Sequence, residues 1–118
     1  MIQTKGFTLA ILGVGNMGQA LLAGVLRSGI TSADRVTISD VASEKLTKAS
    51  EQFSVRIASD NLDAIRGAEV ILLAVKPQNL PAIKEQLKGH FKIGQLVISI
   101  LAGAPVSKLQ DALEIGRA

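Results

Sequence analysis

Short apolar runs alternate along this chain with longer stretches in which apolar side chains recur every three or four positions. A brief apolar run between turn-forming residues reads as a buried strand, and a period of three to four reads as one face of a helix. Repeated alternation of the two predicts βαβ units around a parallel sheet. Thr8-Leu9-Ala10-Ile11-Leu12 supplies the first strand and runs straight into Gly13. From about Asn16 to Ser28 the positions Met17, Leu21 and Val25 lie four apart, predicting a helix that turns those three inward and stops at Gly29.

The same alternation continues. Val36 to Asp40 reads as the second strand, and Ser43 to Gln52 as a helix with Ser43 as N-cap and Leu46, Ala49 and Phe53 inward. A short third strand follows at Val55 to Ala58, and Asp60 caps a brief helix reaching about Gly67. Glu69 to Val75 is the strongest strand, its near-continuous apolar run suiting a strand covered on both faces. Beyond Lys76-Pro77, the residues Leu80, Ile83, Leu87 and Phe91 keep helical spacing, with Pro81 tolerated in the first turn. Leu96 to Leu101 is the fifth strand. Ala102-Gly103-Ala104 breaks it, and Pro105 opens a last helix carrying Val106, Leu109 and Leu113 that ends near Gly116. Right-handed crossovers then give an α/β fold: a doubly wound parallel sheet of order 3-2-1-4-5 in three layers. At 118 residues the expectation is one domain over 1–118, without internal repeat or linker.

Composition narrows the function classes. Apolar residues make up 47% and charged residues 19%, the balance of an ordinary globular protein. The net charge of +3 is scattered with no basic cluster, and three Phe without Trp or Tyr leave no stacking platforms, so nucleic acid is not an expected partner. The absence of Cys removes disulfides, thiolate metal ligands and cysteine nucleophiles, and makes cytoplasm the default compartment. With one histidine, His90, placed near a helix C-terminus as a surface residue, no metal site is expected. Neither a signal peptide nor an apolar run of the roughly 20 residues needed to span a bilayer is present, so no membrane association is expected.

Gly13-Val14-Gly15-Asn16-Met17-Gly18 matches GxGxxG, a pattern that is weak alone and gains meaning from following a strand and opening a helix. Each glycine then has a mechanical role. Gly13 makes the tight turn, Gly15 permits close approach of a pyrophosphate, and Gly18 allows close packing of helix on strand. Free N–H groups at the helix N-terminus favour the phosphates. The competing reading is a glycine-rich turn with no ligand. Asp40, 22 positions past Gly18 at the end of the second strand, stands where a carboxylate would meet the adenosine ribose, which points toward NAD. Ser39, Ser43 and Lys45 nearby are able to serve a 2′-phosphate, so NADP stays open. The bland reading of Asp40 is a solvated turn acid.

Ala74-Val75-Lys76-Pro77 ends the fourth strand at the switch point where ligands bind in such sheets, and its backbone is the expected cofactor contact. Lys76 is a candidate acid or phosphate partner, against the commoner role of a solvated lysine. Ser99 and Ala102-Gly103 end the fifth strand on the same edge, where small residues would leave room for a nicotinamide or merely make a turn. No GxSxG elbow and no Walker lysine follow, which argues against acyl transfer and P-loop chemistry.

The glycine loop, Ala74-Val75-Lys76-Pro77-Gln78 and Val97-Ile98-Ser99-Ile100-Leu101-Ala102-Gly103 together resemble the pyrroline-5-carboxylate reductases over essentially the whole chain. The resemblance implies a Rossmann-like cofactor domain of an NADP- or NAD-dependent reductase that passes hydride to 1-pyrroline-5-carboxylate, giving L-proline in the last step of proline biosynthesis. It adds Asn61 as a residue near the cofactor adenosine. It also implies a helical C-terminal domain for dimerisation, larger homo-oligomers and most of the substrate pocket. That domain is absent from this sequence, so the chain reads as truncated, with catalytic groups unassigned and the isolated chain a poor catalyst. Asp40 departs from the Ser, Thr or Pro of many members. Alternatives are a related reductase, such as a hydroxyacid dehydrogenase or a coenzyme F420-dependent NADP oxidoreductase, a non-catalytic dinucleotide-binding module, and an interaction scaffold.

Overall fold

The computed structural model describes residues 7–99. They form strand β1 (Leu9–Leu12), helix α1 (Asn16–Ser28), β2 (Val36–Ser39), α2 (Ser43–Phe53), β3 (Arg56–Ile57), α3 (Asn61–Ile65), β4 (Val70–Leu73), α4 (Leu80–Leu87) and β5 (Leu96–Ser99). Single 3₁₀ turns at Ala33–Arg35 and Pro77–Asn79 lead into β2 and α4. All strand pairs are parallel and the order is β3-β2-β1-β4-β5, as the crossover rule predicts. The expected last helix, with Ala102 and Gly103 before it, lies outside the described residues.

Alternation along β1 divides the core into two layers. Leu9 and Ile11 join Val36, Ile38 and Leu72 beneath Leu22 of α1 and Leu46 and Ala49 of α2. Ala10 and Leu12 join Ile71, Leu73 and Val97 beneath Ile65 of α3 and Ile83 and Leu87 of α4. The central strands β1 and β4 are thereby covered on both faces, whereas β3 and the Leu96 and Ile98 side of β5 are exposed. In register, Leu9 stands between Val36 and Val70. The N-terminal edge is closed by Glu69, whose carboxylate accepts from the Thr8 N–H at 2.9 Å while its own N–H donates to the Thr8 carbonyl at 3.0 Å.

Three local expectations shift. Met17 is 54% exposed, and α1 meets the sheet through buried Gly18 and Leu22, with Val25 and Leu26 packed beside them. Ser43 is not the cap of α2: that position is Ala42, whose N–H instead donates to Asp40 Oδ1 at 2.8 Å. The helical period of Leu80, Ile83 and Leu87 ends there, because Gly89 turns the chain at φ +79°, and Phe91 returns to the core from the following loop. The caps at Gly29, left-handed with its N–H on the Leu26 carbonyl, and at Asp60, accepting from the Asp63 N–H, are where the sequence puts them.

Candidate functional site

The carboxyl ends of β1, β2 and β4 meet at Gly13. Its positive φ of +102° turns the chain sharply out of β1, and its N–H donates to the Ser39 carbonyl at 2.7 Å. On the other side a β-carbon at this position would lie 2.7 Å from the Ala74 carbonyl oxygen. Glycine is required here by both the backbone angle and the neighbour. One residue on, the Val14 N–H donates to Asp40 Oδ2 at 2.8 Å, and the Val14 carbonyl accepts from Gln19 Nε2 at 2.8 Å. The loop is thus held from both flanks before α1 begins.

Gly18 has the close contact assigned to it, since a β-carbon there would run into the carbonyl of Gly13. Gly15 is different. The nearest atom to a β-carbon built on it is Lys45 Nζ at 3.9 Å, so its backbone lies open toward the cleft. The first helical N–H groups, which have no intrahelical acceptor, follow directly after it. An open glycine at a helix N-terminus is a cradle suited to a diphosphate.

A cleft of about 650 Å³ opens over this point. Of the residues singled out by sequence, Gly13, Gly15, Ser39, Asp40, Lys45, Asn61, Ala74, Val75 and Lys76 line it together, whereas Ser43 does not. Asn16 and Met17 are exposed in the first turn of α1, Gly18 is buried beneath that turn, and Pro77 opens the 3₁₀ turn after β4. Residues outside the sequence motifs complete the walls: Val41 and Ala42 after β2, Ser59 and Asp60 before α3, and Asn79, Ala82, Ile83 and Gln86 along α4. The signal for this last group was positional only, because a helix that follows a strand at the switch point must turn its first two turns to the crevice.

Ser39 is a buried hydroxyl and therefore needs a partner. It donates to Asn61 Oδ1, and Asn61 Nδ2 donates in turn to Gln86 Oε1 at 2.8 Å. This chain of side chains ties β2 to α3 and α4 across the cleft floor and leaves Asn61 one amide hydrogen to offer a ligand. Lys45 and Lys76 supply positive charge at the rim, Lys45 from an exposed position on α2 and Lys76 from the loop after β4. Beside the cleft, the Ser59 N–H bond to Asp63 holds that carboxyl below the usual aspartate range, with Arg56 and Arg66 acting in the same direction. Among the described residues no group of three or more His, Cys, Asp or Glu is placed to hold a metal, and no helix is long and apolar enough to cross a membrane.

The pyrroline-5-carboxylate reductase of Methanosarcina acetivorans is 36% identical over 105 residues, covering 89% of this chain and 39% of that protein. That of Pasteurella multocida is 39% identical over 109 residues, covering 90% of this chain and 39% of that protein. In three dimensions, a pyrroline-5-carboxylate reductase from Coxiella burnetii matches with a TM-score of 0.77 at 25% identity, over 92% of this chain and 40% of that one. The chain thus spans about two fifths of the length of these relatives. The resemblance read from the glycine loop, AVKP and the fifth-strand segment is borne out by them. A family profile described as NADP oxidoreductase coenzyme F420-dependent covers residues 8–103, which is most of the sequence, and the chain therefore belongs to that family.

Proposed function

We propose that this chain is the cofactor-binding part of a reductase that transfers hydride from NAD(P)H to 1-pyrroline-5-carboxylate, giving L-proline. The observation that carries the reading is the open backbone at Gly15, set over a cleft at the switch point between β1 and β4 with the first turn of α1 beside it. The substrate is taken from the relatives that share this sequence.

When bound, the nicotinamide supplies the hydride that reduces the ring imine carbon. The chain's residues bind and orient. Gly13 makes the turn that presents the cradle, and Gly15 with the N–H groups of Asn16, Met17 and Gly18 would receive the diphosphate. Ser39, Asp40 and Asn61 would hold the adenosine end, and the backbone of Ala74, Val75 and Lys76, with Pro77 following them, would meet the cofactor nearer its reactive end. Ala102 and Gly103, outside the described residues, are assigned to the nicotinamide end from the sequence pattern alone. Residues 1–118 act as one Rossmann-like unit, while the substrate pocket, the catalytic groups and the dimer contacts come from a helical domain beyond them. The working protein is a cytoplasmic homo-oligomer.

Calorimetric titration of the chain with NADH and NADPH tests the cofactor reading, with saturable binding of at least one expected. Failure of both to bind would reject it. A turnover assay with 1-pyrroline-5-carboxylate tests the division of labour: the chain alone is expected to show none, and measurable proline formation would place catalytic groups within these 118 residues.

A further inference from the structure

We infer that Asp40 is a positioning residue that fixes the glycine loop in its binding shape, and that it does not select NADH over NADPH. The inference rests on the cofactor reading above and changes what the acidic residue at the end of β2 does within it.

The two oxygens of Asp40 point to two different segments. Oδ2 accepts from the Val14 N–H and Oδ1 from the Ala42 N–H, each at 2.8 Å. One carboxylate therefore joins the loop after β1 to the turn between β2 and α2. The neighbouring Gly13 N–H is also used, on the Ser39 carbonyl at 2.7 Å. Two successive amides of the loop are thus committed to the end of β2, and neither is available to a phosphate. Their commitment leaves Gly15 and the first turn of α1 facing the cleft. Val14, whose side chain is fully buried, anchors the loop from the opposite side.

Aspartate suits this role better than its amide. A carboxylate offers an acceptor oxygen in both directions, whereas asparagine has one oxygen and would set an NH₂ against one of the two N–H groups. Two donors also compensate the carboxylate charge, which lessens its repulsion of a 2′-phosphate. The exposed charge on this wall is Lys45, whose Nζ lies 3.9 Å from where a β-carbon on Gly15 would stand. An Asp40 engaged in this way acts on the shared diphosphate part of both cofactors and so on both alike.

The test uses Asp40→Asn and Asp40→Ser in the full chain, with NADH and NADPH titrations and amide exchange of Val14 followed by NMR. Both dissociation constants are expected to rise by roughly tenfold and by factors within about twofold of each other. Val14 exchange is expected to accelerate. A core variant of lowered Tm, Val97→Ala, should leave both affinities within about twofold, which separates positioning from general destabilisation. Weakening of NADH alone, or tightening of NADPH, would overturn the proposal, as would unchanged Val14 exchange. Should the unsubstituted chain bind neither cofactor, the functional reading fails while the exchange data still decide the brace. If both variants fail to fold, the unsubstituted chain decides: the Val14 and Ala42 amides must both be protected from exchange, and fast exchange of either would reject the inference.

Discussion

Gly18 and the carbonyl oxygen of Gly13 leave no room between them for a β-carbon. The first turn of α1 is consequently pressed against the end of β1, and this contact sets how close the helix N-terminus comes to the cleft. Gly18→Ala should force that turn outward, at an overpacking cost of about 1–3 kcal/mol. The expected result is a Tm lowered by roughly 5–20 °C, measured by thermal unfolding. An unchanged Tm would mean that the contact relaxes freely.

Leu22 and Met17 should respond in opposite ways to truncation. Leu22 is fully buried under α1, so Leu22→Ala is expected to cost about 2–5 kcal/mol in urea unfolding. Met17 is exposed, and Met17→Ala should stay within about 0.5 kcal/mol. Equal losses at the two positions would show that the helix is rotated from the orientation described.

That contrast explains what the sequence conveys and what it hides. The strands are legible because a parallel sheet covered on both faces needs continuous apolar runs, as in Leu9–Leu12 and Val70–Leu73. The inward face of α1 is legible only in part: the glycine motif marks Gly18 as the point of close packing, whereas hydrophobic spacing, which gives no weight to glycine, turns the exposed Met17 inward. The α2 cap is hidden for a related reason: Asp40, two residues upstream, takes the Ala42 N–H, and a rule that looks only for a capping side chain settles on Ser43. The cleft residues of the glycine loop and of AVKP carry motif signals, whereas Gln86 carries none. Only the fold brings Gln86 to Asn61.

Asp63 should contribute to acid sensitivity. Its carboxyl accepts from the Ser59 N–H at 3.0 Å, and that bond lowers its folded pKa below the unfolded value near 3.8. A depressed carboxyl pKa adds stability that is fully present above the unfolded value and is lost as pH falls through the folded one. Asp34, lowered by the Ser32 hydroxyl, has the same sign. Unfolding of Asp63→Asn, followed between about pH 6 and 2, should show a shallower loss of stability on the acid side than the unsubstituted chain. Identical slopes would remove Asp63 from the account.

The strand order has a consequence for how the chain reaches this state. Leu9 pairs with Val36 across 27 positions, whereas Thr8 and Glu69, at the β1–β4 edge, are separated by 61. Closing the longer loop costs only about 0.6 kcal/mol more per doubling of length, yet the Ile71, Leu73, Ile83, Leu87 and Val97 part of the second core layer does not reward the chain until that closure is made. The first βαβ unit therefore has the shorter route to its contacts, and docking of β4 is the long-range step expected to govern the folding rate.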